Sequence, residues 1–174
     1  MFKLIKQTKM TRITKFIFLF SLFFKTAYSQ TTYPKINGYV GIMHPIVTFS
    51  NEETTTNFDG HYVVSFPMGI NLWKTSKVGF SFEIVPTIKD EDGISKSSNL
   101  TFHPGVLVPL GSGFSFAGRV AFETSGRYGF TPVFNKTLIK SENCSYYAAL
   151  PLPARFGNDK PATFTIGIQL GVLF

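Results

Sequence analysis

Residues Thr163 to Phe174, TFTIGIQLGVLF, decide how the rest of the sequence is read. Phe164, Ile166, Ile168, Leu170, Val172 and Phe174 share one parity; Thr163, Thr165, Gly167, Gln169 and Gly171 share the other. An extended strand sends alternate side chains to opposite faces, so this stretch has one wholly apolar face and one small, weakly polar face.

The same alternation recurs upstream. Lys35 to Phe49 is a strand candidate, with Tyr39 and Met43 opposite Val40 and Ile42. In His61 to Trp73, Tyr62, Val64, Phe66, Met68, Ile70 and Leu72 oppose His61, Val63, Ser65, Pro67, Gly69 and Asn71. Val78, Phe80, Phe82 and Ile84 oppose Gly79, Ser81, Glu83 and Val85. Leu100, Phe102, Val106 and Val108 oppose Thr101, His103, Gly105 and Leu107, and a tight Gly111-Ser-Gly113 turn follows. Phe114, Phe116, Val120 and Phe122 oppose Ser115, Ala117, Arg119, Ala121 and Glu123. Tyr128 to Asn135 is the weakest of the set, and residues 125–143 read either as a strand and turn or as a loop. Asn143 to Phe156 returns to the pattern with Tyr146, Ala148, Leu150 and Leu152 on one face. Polar stretches Asn51–Gly60 and Asp90–Ser98 read as long loops, and Lys74–Lys77 as a short turn.

Eight strands with no helical periodicity after residue 30 make an all-β protein, and several faces match the roughly 9–11 residues of a tilted bilayer-crossing strand. Which face looks outward follows from composition. A soluble barrel needs a charged exterior; here one face is bulky and apolar and the other is mostly Gly, Ser, Ala and Thr. An eight-stranded interior is just wide enough to be filled by side chains, which suits the small face. The bulky face then meets lipid, where every backbone group must be satisfied internally and the sheet must close. Trp73, Tyr62 and Tyr128 near strand ends suit interfacial aromatic belts. Eight prolines in or near strands (Pro45, Pro67, Pro86, Pro104, Pro109, Pro132, Pro151 and Pro153) predict bulges or interrupted strands, since proline cannot donate to a ladder.

The amino-terminal segment 1–29 carries six basic residues and no acid. Its cationic start, the apolar run Phe16–Phe24 and the small residues around Ala27-Tyr-Ser29 form a secretory signal peptide pattern, with cleavage expected before Gln30 and domain 30–174 left as the mature protein. A mainly apolar run of nine residues is too short for a spanning helix, which needs roughly 20. Without this segment 11 basic and 10 acidic residues remain, so no basic nucleic-acid-binding domain is expected. The single Cys144 excludes an internal disulfide.

Taken together, the signal peptide, the alternating segments and the ending GVLF resemble the small eight-stranded outer-membrane β-barrels of the OmpA/OmpX-like, porin-like kind. The resemblance implies an antiparallel up-and-down transmembrane barrel in the outer membrane, exported through the Sec pathway. It also implies contact with outer-membrane lipid and recognition of Phe174 by the barrel assembly machinery. Its expected role is structural, adhesive or narrowly permeating and non-enzymatic, with no cofactor.

Charged residues on the small face are the candidate site. Glu83, Arg119 and Glu123 lie there, with Arg155 near a strand end. Isolated charges in a narrow lumen are costly and paired ones tolerable, so a lumenal acid–base network joining Glu83 and Glu123 to Arg119 and Arg155 is expected. Two alternatives belong to other classes. A lipid-modifying enzyme would need a nucleophile, a His base and a carboxylate at one rim, for which His44 and His61 with Ser50, Glu52 and Asp59 are the candidates. A soluble lipocalin-like carrier would line an apolar cavity with the bulky face. No metal spacing exists among His44, His61, His103 and Cys144, and Asp90-Glu-Asp-Gly93 lacks the spacing of an EF-hand loop.

Overall fold

The computed structural model of the chain describes residues 33–91 and 93–174, with backbone only at 91. The chain divides into two units, Met1–Tyr33 and Pro34–Phe174. The signal-peptide segment lies outside the described residues.

Eleven strand segments occur among the described residues: β1 Lys35–Ser50, β2 Thr54–Thr56, β3 His61–Ser65, β4 Met68–Trp73, β5 Gly79–Glu91, β6 Ile94–Gly111, β7 Phe114–Glu123, β8 Tyr128–Lys140, β9 Ser145–Pro151, β10 Ala154–Phe156 and β11 Thr163–Leu173. They form eight antiparallel staves, because β3 with β4 and β9 with β10 are single staves interrupted at proline, and β2 caps the first hairpin. Each stave pairs with the next in sequence, and β11 pairs back onto β1 from Tyr39↔Leu173 to Ser50↔Thr163. The sheet is therefore a closed up-and-down barrel, and closure removes the free edges that alternating strands otherwise leave.

Residues of one parity point inward. Ser81, Glu83, Val85, Ala117, Arg119 and Ala121 are buried, whereas Phe80, Phe82, Val106, Val120, Phe122 and Leu170 are exposed. Outward positions from Leu100 to Leu110 on β6 carry no charge, and ten residues at about 3.3 Å rise and roughly 40° tilt cover a height of roughly 25 Å.

Most of the prolines fall at bulges or interruptions, as the pattern predicts. Register shifts fall between Pro45 and Val47 and between Pro109 and Gly111. Pro67 separates β3 from β4, and Pro151 and Pro153 flank the break between β9 and β10. Their carbonyls still accept: Gly41 N–H donates to Pro67 (2.8 Å), Phe66 to Pro86 (2.9 Å), Leu152 to Pro132 (2.9 Å) and Thr165 to Pro153 (2.8 Å). At Pro45, Pro67, Pro109, Pro151 and Pro153 the missing donors coincide with shifts or breaks, whereas Pro104 and Pro132 sit inside unbroken ladders opposite Phe82 and Gly118, and the ring stays closed.

Three expectations are corrected and one open alternative is resolved. Asp90–Ser98 is not a loop: β5 and β6 continue as a paired ladder to Glu91↔Ile94 and turn at Gly93, whose φ of 75° suits glycine. Backbone pairing needs no apolar face, so a polar hairpin was invisible to hydropathy. Of the two readings left open for residues 125–143, the strand and turn holds: β8 is followed by a tight turn in which Ser141 N–H donates to the Cys144 carbonyl (2.8 Å). Cys144 lies in that turn rather than on a strand. Trp73 is not in an outer belt: it packs against the buried cluster of Tyr39, Leu107, Ala117, Val133, Tyr147 and Ala149. Tyr62 and Tyr128 do face outward at the end opposite the carboxy terminus, beside Phe58 and Phe156 respectively.

Candidate functional site: a charged septum across the lumen

Midway along the barrel, five staves send polar side chains to the axis. Glu83 comes from β5, His103 from β6, Arg119 and Glu123 from β7, Arg155 from β10 and Tyr39 from β1. Glu83 is 3% exposed, Arg119 6% and Arg155 8%, so the charges are withdrawn from water and depend on one another.

Each Glu83 oxygen has its own donor. The Tyr39 hydroxyl donates to Oε2 at 2.8 Å, and His103 Nδ1 meets Oε1 at 2.9 Å. Arg119 Nη2 stands 3.6 Å from Oε2 and donates to the Tyr39 hydroxyl at 3.1 Å and to Ser81 Oγ at 3.1 Å. Tyr39 is thus a relay that takes a hydrogen bond from the cation and passes one to the anion. On the other side Arg155 Nε donates to Glu123 Oε1 at 2.6 Å, Nη1 to Thr131 Oγ1 at 3.0 Å, and Nη2 meets His103 Nε2 at 3.0 Å.

The protonation of His103 follows from this geometry. A guanidinium has only donors, so Nε2 must be the acceptor and the ring proton must sit on Nδ1, directed at Glu83. A neutral imidazole therefore bridges two ion pairs, and the set carries two positive and two negative charges. Of the residues expected to form a network, Glu83, Arg119, Glu123 and Arg155 are brought together; the sequence reading missed His103 and Tyr39.

Glycines let these side chains lie down. An added Cβ at Gly105 would meet Arg119 Cγ at 2.6 Å, and one at Gly171 would meet the Tyr147 hydroxyl at 2.5 Å. The lumen face is small in places because the septum rests on it.

The septum divides the lumen. Above it a cavity of about 790 Å³ reaches from Glu83, His103 and Arg155 to the Thr54–Asp59 rim. Below it a cavity of about 350 Å³ reaches from Arg119 and Tyr147 to Lys140 and Ser145 at the rim holding the termini of the barrel. Gln169 touches both, and its Nε2 donates to the Tyr147 hydroxyl at 2.8 Å.

The candidates of the alternative readings are placed apart. His44 lies on the outer face, with its ring 5.8 Å from that of Phe58 and 5.6 Å from that of Tyr62, whereas His61 lines the upper cavity. Phe80, Phe82, Phe102, Phe122, Phe130 and Phe134 are exposed on the outside and line neither cavity. Among the described residues no three His, Cys, Asp or Glu side chains gather in a metal-ligating cluster.

No protein-family model matches the chain, and no curated protein matches it. Among solved structures it is similar to the solution NMR structure of the de novo designed TMB2.3: identity is 9%, the match covers 83% of this chain and 96% of the other, and the TM-score is 0.46. It is also similar to a chain described under de novo design of transmembrane β-barrels, at 9% identity, covering 82% and 97%, with a TM-score of 0.48.

Proposed function

We propose that the chain is a non-enzymatic outer-membrane barrel of the OmpA/OmpX-like, porin-like kind, whose role is structural or adhesive and whose lumen permits at most narrow permeation. The observation that carries this reading is the outer surface. Bulky apolar side chains stand exposed on every stave, from Ile70 on β4 through Phe82, Val106, Val120 and Phe130 to Ile168 on β11. Water would penalise such a surface, far larger than the few hundred Å² of apolar patch a soluble monomer tolerates, and hydrocarbon would not. Backbone closure meets the other demand of that environment.

The septum supports a plugged rather than an open lumen, since five staves meet across it through short hydrogen bonds. In this reading the termini of the barrel lie on the periplasmic side, the Asn51–Gly60 loop and the 88–99 hairpin face outward, and Phe174 is presented to the assembly machinery after Sec export. Placement of His44 and His61 on opposite faces of the wall favours a non-catalytic role.

The test is fractionation with in-bilayer labelling. The protein should sediment with outer membranes, migrate differently on gels before and after boiling, and be labelled by lipid-borne photoprobes at Phe80 and Phe116 but not at Ser81 or Ala117. Recovery in the soluble fraction, or labelling of the small face, would overturn it.

A further inference from the structure

The two cavities differ in the charge they offer a ligand. Glu53, Asp59, Glu83 and Glu123 line the upper one, and no carboxylate lines the lower one. Arg119 is buried and faces the lower cavity alone. It spends Nε and Nη2 on the septum, donating to Ser81 and Tyr39. Its Nη1 has no hydrogen-bond partner among the described residues and is open to the lumen. Asn37 and Asn71 add to this set, because their Oδ1 atoms are shut into the wall while their unpaired Nδ2 groups stay open. The Tyr147 hydroxyl accepts from Gln169 Nε2, which leaves its own proton unspent. Buried donors are ordinarily paired, so a guanidinium N–H facing a cavity without an acid marks a place for an anionic acceptor.

We infer that the lower cavity binds a small organic monocarboxylate, with its head on Arg119 Nη1 and an apolar body against Trp73, Leu107 and Leu173. The walls require the body, since a bare inorganic anion would leave them uncovered. Arg119 already shares its charge with Glu83, 3.6 Å away, so one negative charge is matched better than the two of a phosphate. The volume, about 350 Å³, sits at the small end of the roughly 300–1,000 Å³ typical of small-molecule sites. Lys140 stands at the mouth, and Lys74 and Lys77 lie at the same end of the barrel, where Glu142 is the only acidic side chain among the described residues. Such an excess of one sign draws anions to the opening. The inference rests on the lumen alone and stands whether or not the outer surface meets lipid.

The molecule contains its own reporter, because Trp73 is the only tryptophan in the sequence and lines this cavity. Full-length mature protein refolded in non-ionic detergent near neutral pH is titrated with cyclohexanecarboxylate while tryptophan fluorescence is followed. A saturable change is expected. The neutral cyclohexanecarboxamide, of nearly the same shape, should bind roughly tenfold more weakly or worse, the loss of a hydrogen bond to a charged group. The double variant Glu83→Gln with Arg119→Gln removes the cation without stranding its partner, and a similar loss is expected there. Inorganic phosphate at equal concentration should not displace the carboxylate. Heat-dependent gel mobility checks that the variant is folded; should it fail, Lys140→Glu at the exposed mouth takes its place, with binding expected to weaken roughly threefold. No saturable change up to the solubility limit, equal affinity for the amide, displacement by phosphate, or undiminished binding in the folded variant would each overturn the inference.

Discussion

Arg119 and Val120 are neighbours in the sequence and live in different solvents. Arg119 points to the axis and is 6% exposed; Val120 points outward and is 50% exposed. The two faces of one strand therefore obey opposite rules. On the outer face any bulky apolar side chain serves, because the surroundings make no specific demand. On the lumen face a side chain is acceptable only when its partners are already in place, and Arg119 has Glu83, Tyr39 and Ser81. Sequence variation should accordingly be broad outside and tightly coupled inside.

The strongest break of this contrast is Arg119→Leu. It strands the Glu83 charge in the lumen, and removing one member of a buried pair costs about 3–5 kcal/mol. Urea unfolding of the refolded barrel should show that loss. Adding Glu83→Leu to Arg119→Leu should recover much of it, since no charge is then left over, and the two substitutions should be far from additive. Additive losses would mean that the pair is not a unit. Next in size is Val120→Arg on the same strand. It sets an unpaired cation on the face proposed to meet hydrocarbon, which should cost about 2–4 kcal/mol near the bilayer midplane. In detergent or lipid the loss should track depth, so the same change at Leu110, near the lower turn, should be milder. Third is Gly105→Ala, where a new methyl would stand 2.6 Å from Arg119 Cγ and 2.5 Å from the Gly118 carbonyl oxygen. Overpacking of this kind costs about 1–3 kcal/mol, and the same substitution at Gly118, which faces outward and meets only the Phe116 ring at 3.4 Å, should cost less.

How far the contrast was legible beforehand depends on what each residue's position required. The parity of β11 and the placement of Glu83 and Arg119 on the small face follow from alternation alone. Trp73 also carried its signal: it has the parity of Gly69 and Asn71, which marks it as inward-facing. Tryptophan is also common at membrane interfaces, a residue-type tendency that points the opposite way from this parity. His103 is different. Counting back along the hairpin from its turn puts Phe102 opposite Glu83; the bulge between Thr87 and Ile88 shifts the register by one and brings His103 there instead. Alternation already puts His103 on the small face, but a one-residue bulge has no hydropathy signature, so its partnership with Glu83 was beyond reach of periodicity. The 88–99 hairpin was missed for the complementary reason, because polar residues on both faces leave nothing for alternation to detect.

That hairpin supplies the smallest and most discriminating prediction. β5 and β6 hold Glu83 and His103 at mid-barrel, yet a few residues higher the same two strands run with Ile94–Ser98 exposed and with β7 paired to β6 only from Thr101 onward. Here neither lipid nor a packed lumen constrains the side chains. Ser97→Ala should therefore alter unfolding free energy by no more than about 0.5 kcal/mol, the usual range for surface changes. Limited proteolysis should cut between Lys89 and Lys96 while leaving the barrel heat-modifiable on gels, because the ladder beyond Thr101 does not rely on the tip. A loss comparable to that of Gly105→Ala, or collapse of the barrel on nicking, would show that the hairpin is packed against something. In that case the division between constrained lumen and permissive exterior would have to be redrawn to include a third, covered surface at the upper rim.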